Sequence, residues 1–278
     1  ARISAWRRCG LRVIGIHPVG DAPARARLAS AGVDDVLSDD TPSETIARAV
    51  QLLDPPAERP SGPARGRVVG IVGARGAPGR TEVAVAVARA LGSSHHTLLV
   101  DLDLDAPSIA IRLGLAPRPD VVDASDQVHA TGTFDATALH QWEGVSVLVA
   151  SHRPMSIRPE ALEDLLTAAA IRFERVVVDT GFDPEPPPAD DVVLVAEGTP
   201  LGIVRASRLV ADWSGPTPTL VLNRVPREEA GDVVLAARRW TGLEPVAVIL
   251  EDPRIRERAR RADLPSRTLA RVVDRIGA

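Results

Sequence analysis

Short, unbroken apolar runs recur along most of the chain, at Val68–Val72, Thr97–Val100, Val145–Val149, Val176–Val178, Val192–Val195, Leu220–Leu222 and Val246–Leu250. Runs this short and this apolar predict strands covered on both faces. Between several of them lie stretches with helical spacing, at Glu82–Leu91, Pro159–Ala170, Pro200–Trp213 and Glu228–Trp240. Strands alternating with helices predict an α/β fold, a mostly parallel sheet with helices on both faces. Upstream, Arg12–Ile16 and Val33–Leu37 read as strands and Ala24–Ser30 as a helix. A further helix is expected from Ser43 through Leu53, where Ile46, Ala47, Val50 and Leu53 share a face. Between the two regions the run DPPAERPSGPARG, residues 54–66, has the Pro, Gly and Arg content of an extended linker. The expected organisation is therefore an α/β segment over 1–53, a linker over 54–66 and a larger α/β domain over 67–278.

Composition narrows the chemistry. The 278 residues are 45% hydrophobic with mean hydropathy +0.03, normal for a globular chain with a core. Net charge is −4, from 37 acidic and 33 basic residues, so contact with nucleic acid or anionic lipid needs a local patch. The single cysteine, Cys9, excludes an internal disulfide framework and a cysteine-based metal site. No apolar run approaches the ~18 residues of a membrane span and no signal peptide is visible, which predicts a cytoplasmic setting. Every basic residue is an arginine, so no reaction here can draw on a lysine ammonium.

The upstream run AGVDDVLSDDTPSETIARAV resembles the last strand and last helix of a response-regulator receiver. It departs from that family at Ser38-Asp39-Asp40, where receivers carry a lysine, and the half that would hold a phospho-acceptor is absent. The chain opens at Ala1 without a methionine, so it is expected to be a fragment of a longer protein.

Four segments of the larger domain carry candidate chemistry. VVGIVGARGAPGRTEVAVAVARAL is a strand, a glycine-rich turn and a helix, an arrangement that places backbone amides and a helix N-terminus around an anion. HTLLVDLDLDAPSIAIRLGL follows a second strand and carries Asp101, Asp103 and Asp105. RVVVDTGFDP ends a third strand with Asp179 and Thr180, and TLVLNRVP puts Asn223 and Arg224 just beyond another. In this order the segments resemble the MinD/ParA group of deviant Walker ATPases, over roughly residues 67–278.

The resemblance implies a P-loop nucleotide site. Gly76, Ala77, Pro78, Gly79, Arg80, Thr81 and Glu82 correspond to the phosphate loop and the start of its helix, and Asn223 to the adenine-recognising residue. Thr81, Asp103 and Asp179 correspond to the groups around Mg, and Asp103 and Arg75 to the catalytic positions of an active member. The resemblance further implies ATP and Mg as cofactors and a homodimer with the loops at its interface. The upstream segment, the linker and the stretch RPEALEDLLTAAAIRFERVVVDTGFDP are most similar to the CpaE/TadZ branch and its septum-site-determining relatives. That implies protein partners in a pilus, secretion or division apparatus, with recruitment to membrane or pole by those partners.

The departures from the family pattern gather on the phosphate site. Arg80 stands for the loop lysine, and a planar fork does not fit where a compact ammonium belongs. Pro78 removes a backbone N–H from the loop. Ala77 replaces a glycine. Glu82 puts a carboxylate near a polyanion, although it suits a helix N-terminus. Arg75 replaces the signature lysine. The expectation is that hydrolysis is lost or marginal and that nucleotide binding is weak or absent. Two alternatives stay open: a slow ATP-dependent dimerisation switch, and a nucleoid-binding ParA-like module.

The nucleoid-binding alternative would use Arg254, Arg258 and Arg261, on one face of a helix capped by Asp252-Pro253, a patch that could equally dock anionic membrane or an acidic partner. The plainer expectation for that face is a solvated surface offset by Glu257 and Asp263. Asp105 is expected to cap the following turn rather than to take part in catalysis. The terminal helix from Ser266, with Leu269, Val272, Val273 and Ile276 on one side, is expected to pack on the sheet rather than on a membrane. The histidines show no metal-ligand spacing beyond the adjacent His95-His96 pair.

Overall fold

In a computed structural model of the chain, the structure describes residues 13–52, 65–74, 79–151, 156–181, 188–254 and 269–277. The chain divides into two compact units, Ala1–Ala64 and Arg65–Ala278. In the first, strands β1 (Ile14–His17) and β2 (Asp35–Ser38) pair in parallel and are joined by helix α1 (Ala22–Ser30); α2 (Ser43–Leu52) follows. Asp21 caps α1 by accepting from the Ala24 amide at 2.8 Å, just ahead of a proline in the first turn. Each element lies within two residues of where its pattern places it.

The second unit is built on a sheet in the order β10-β9-β8-β3-β7-β4-β6-β5. Its strands are β3 (Arg67–Gly73), β4 (Thr97–Leu102), β5 (His140–Trp142), β6 (Val145–Leu148), β7 (Arg175–Thr180), β8 (Asp191–Glu197), β9 (Thr219–Val225) and β10 (Pro245–Leu250). Its helices are α3 (Arg80–Gly92), α4 (Ile109–Leu113), α5 (Val121–Thr131), α6 (Pro159–Arg172), α7 (Pro200–Ala211), α8 (Ala230–Thr241) and α9 (Ala270–Gly277). All pairings are parallel except that of β5 with β6, which closes the edge. The fold is thus α/β with a mostly parallel sheet.

The strands read as unbroken apolar runs because both faces are covered. Val69, Ile71, Leu99, Val147 and Val177 face α3 and the terminal helix α9. Their sequence neighbours Val68, Leu98, Val100, Leu148, Val176 and Val178 face α5 and α6 instead. Farther along the sheet, Val192, Leu194, Leu220 and Leu222 pack on α7 and α8. As expected of the terminal helix, α9 seats Val272 and Ile276 in the core, with Leu269 just ahead of it; residues 266–268 lie outside the described residues. Arg65 and Gly66, placed in the linker by their composition, are fastened to this body. Arg65 pairs with Asp190 at 2.7 Å, and the Gly66 amide donates to Ala170 at 2.7 Å.

The sheet order locates the site. From β3 the chain runs to β4 on one side, with β7 inserted between them, and from β7 it crosses β3 to reach β8. The reversal at β3 opens a crevice at the carboxyl ends of β3, β7 and β4, where ligands collect in open α/β sheets.

Candidate phosphate-loop site

Beyond β3, Gly79 leads into α3 with φ +82°, a left-handed conformation that glycine adopts without strain. The space is tight as well, since a Cβ built there would lie 2.2 Å from the Asn223 amide nitrogen. Beside it, β4 and β7 run in register with Asp101 opposite Asp179, so both carboxylates point to one face of the sheet. Asp103 follows two residues later, just beyond the end of β4. All three aspartates are buried.

Arg80, the first residue of α3, turns into this group and is only 5% exposed. Its Nη2 donates to Asp103 Oδ2 at 2.7 Å, and its Nε stands 3.4 Å from Asp179 Oδ1. A charge this deep persists only where opposite charges surround it, and breaking such a pair costs about 3–5 kcal/mol. The next two residues of α3 also reach across to the segment after β4. Thr81 Oγ1 accepts from the Ser108 hydroxyl at 3.2 Å, and Glu82 forms an ion pair with Arg112 of α4.

The aspartates have separate tasks. Asp101 accepts from the amides of Asp103 (3.1 Å), Ser108 (3.2 Å) and Ile109 (3.1 Å), which fixes the start of α4. Burial pushes its carboxyl up to about 6; the neighbouring Asp103 charge adds to the rise and the three amides oppose it. Asp179 is pushed up to about 7, again mainly by burial, with the charges of Asp101 and Asp103 adding to it. The Thr81 hydroxyl and the Arg80 guanidinium pull it the other way. Asp103 closes the turn after β4 by accepting from the Ala106 amide at 3.1 Å. The capping expected of Asp105 falls instead to Asp103 and Asp101, whose buried carboxylates accept the amides of this turn, while Asp105 is exposed.

Of the residues singled out in the sequence, Gly79, Arg80, Thr81, Asp103, Asp179 and Asn223 come together here. Asn223, at the carboxyl end of β9, is 8% exposed and stands against Gly79. Glu82 lies in the first turn, as its helix-terminal reading required, with Arg112 as partner. Arg75, Gly76, Ala77 and Pro78 lie outside the described residues, as do Arg258 and Arg261; Arg254 is exposed, its amide held by Asp252 at 2.8 Å. Sequence reasoning missed Ser108 and Arg112. A serine ahead of the apolar Ile109 carries a helix-start signal, but nothing local marks Arg112 as the partner of a residue 30 positions away.

The fit of Mg-ATP can be tested on these contacts. The cation expected to meet phosphate pairs with Asp103 and Asp179, the groups expected around the metal, and Thr81 is engaged by Ser108. In this arrangement Arg80 is bonded to Asp103 and Asp179, and Thr81 to Ser108.

No family model and no curated protein sequence matches the chain. Solved structures do. A ParA family ATPase from Chlorobium tepidum is similar with TM-score 0.62 and 21% identity, over 73% of this chain and 92% of that one. The MinD cell division protein of Aquifex aeolicus gives 0.62 and 19%, over 76% and 97%. The septum site-determining protein MinD from Pyrococcus horikoshii, complexed with Mg-ADP, gives 0.61 and 19%, over 76% and 96%. The chain has the fold of the MinD and ParA ATPases. In that fold Arg80 and the aspartates meet at the start of α3 and the ends of β4 and β7. No helix among the described residues is long and apolar enough to cross a membrane.

Proposed function

We propose that this chain is a MinD/ParA-like localisation or assembly factor of the CpaE/TadZ kind, serving pilus, secretion or septum-site machinery. It acts by binding protein partners, as a homodimer, and turns over little or no ATP. The observation that carries this reading is the buried Arg80 guanidinium, 2.7 Å from Asp103 and 3.4 Å from Asp179, where a nucleotide-hydrolysing site needs those carboxylates for other work. Loss of one preorganised charge-stabilising group slows turnover by about 100- to 1,000-fold, and here several groups are committed at once. Partner binding is in keeping with a neighbour of the same fold, the MinC:MinD cell division protein complex of Aquifex aeolicus.

Phosphate release by the full chain in Mg-ATP tests the reading. Release at the background rate is expected. Sustained turnover abolished by Asp103→Asn would defeat it in favour of an ATP-dependent dimerisation switch.

A further inference from the structure

Three consecutive residues at the start of α3 each bond to the segment that follows β4, and they do so in order. Arg80 reaches Asp103, Thr81 meets Ser108, and Glu82 pairs with Arg112. The residues run in parallel on the two sides, so residues 103–112 lie along the first turn of α3 from its buried end to its surface end. The inner link is almost fully buried on both partners, whereas the outer one is 19% and 23% exposed. Within the segment, Asp101 holds the amides of Ser108 and Ile109, and Asp103 holds that of Ala106. Protein groups thus fix the segment at both ends and in the middle.

We propose that Arg80 is the resident cation of this site and closes a clasp that holds residues 101–112 on α3 independently of nucleotide. The proposal rests on the reading that the loop does not run an ATPase cycle, and it adds how the site is regulated: the segment is shut by the chain itself. Charge explains why the cation stays. Asp101, Asp103 and Asp179 crowd one face at the ends of β4 and β7, and a positive group among them offsets the negative charge they share in a dry setting. Arginine suits the task better than lysine, because Nε and Nη2 of one rigid fork address two different carboxylates. The outer Glu82–Arg112 pair holds the far end, so opening the segment means breaking links at both ends.

Amide hydrogen exchange of the full chain, read by mass spectrometry over 101–112, tests the clasp. The protection of this segment is expected to be the same with and without millimolar Mg-ATP. Arg80→Met is expected to speed its exchange by about tenfold or more. Arg112→Gln, at the surface end where the fold is not at risk, is expected to speed it by about threefold, with β3 and β7 unchanged. Wild-type exchange in Arg112→Gln would overturn the clasp, and so would a large slowing by Mg-ATP in the unmodified chain. Phosphate release alone decides the proposed function, so the two failures are told apart: a clasp that fails in a chain without turnover leaves that function standing.

Discussion

At Gly79 two demands coincide, a φ of +82° and a backbone that passes against the Asn223 amide. A methyl group meets strain from the first and a clash from the second. Gly79→Ala is therefore expected to lower the free energy of unfolding by about 1–3 kcal/mol, measured by urea denaturation. Adding Asn223→Ala, which clears the clash but not the strain, is expected to recover part of that loss. The aspartates carry a pH dependence whose sign follows from their environment. Asp101 and Asp179 hold a proton more tightly folded, at about 6 and 7, than at their ordinary value of 3.8. Their contribution is fully present below 3.8 and is lost as pH rises through 6 and 7. The melting temperature is expected to fall between pH 5 and pH 8. In Asp179→Asn the fall should be smaller, and an unchanged profile would remove Asp179 from the account.

Among the elements, α9 shows how an amphipathic pattern resolves. Its apolar side could face lipid or sheet, and Val272 and Ile276, with Leu269 just ahead of the helix, are 0%, 2% and 1% exposed against α3 and the strands. Ile276→Ala is expected to cost about 2–4 kcal/mol in the same urea experiment; a loss below 0.5 kcal/mol would mean the helix does not hold the core. The strands were legible because burial on both faces leaves an unbroken apolar run. The helix α4 and the edge strand β5, with five and three residues, are too short for any period to show. Helix α5 escaped for another reason. Asp123, Ser125, Asp126 and Gln127 break its apolar pattern, and the signal that marks it is the Asp120 cap, accepting from Val122 and Asp123 at 3.0 and 2.9 Å.

For the molecule as a whole, the motifs at the strand ends singled out Gly79, Asp103, Asp179 and Asn223, and the sheet order brings them to one crevice. What spacing did not reveal is the direction in which Arg80 points. Its partners lie 23 and 99 positions away and meet it only through the crossing of the chain at β3. The same holds for Glu82 and Arg112. A sequence marks which residues stand at a crevice more readily than which of them bond to each other, because bonding depends on the sheet order. Calorimetric titration of the full chain with Mg-ATP tests the central claim most directly. No saturable heat is expected up to millimolar nucleotide, because Arg80 is committed to Asp103 and Asp179. A stoichiometric isotherm with micromolar affinity would contradict it.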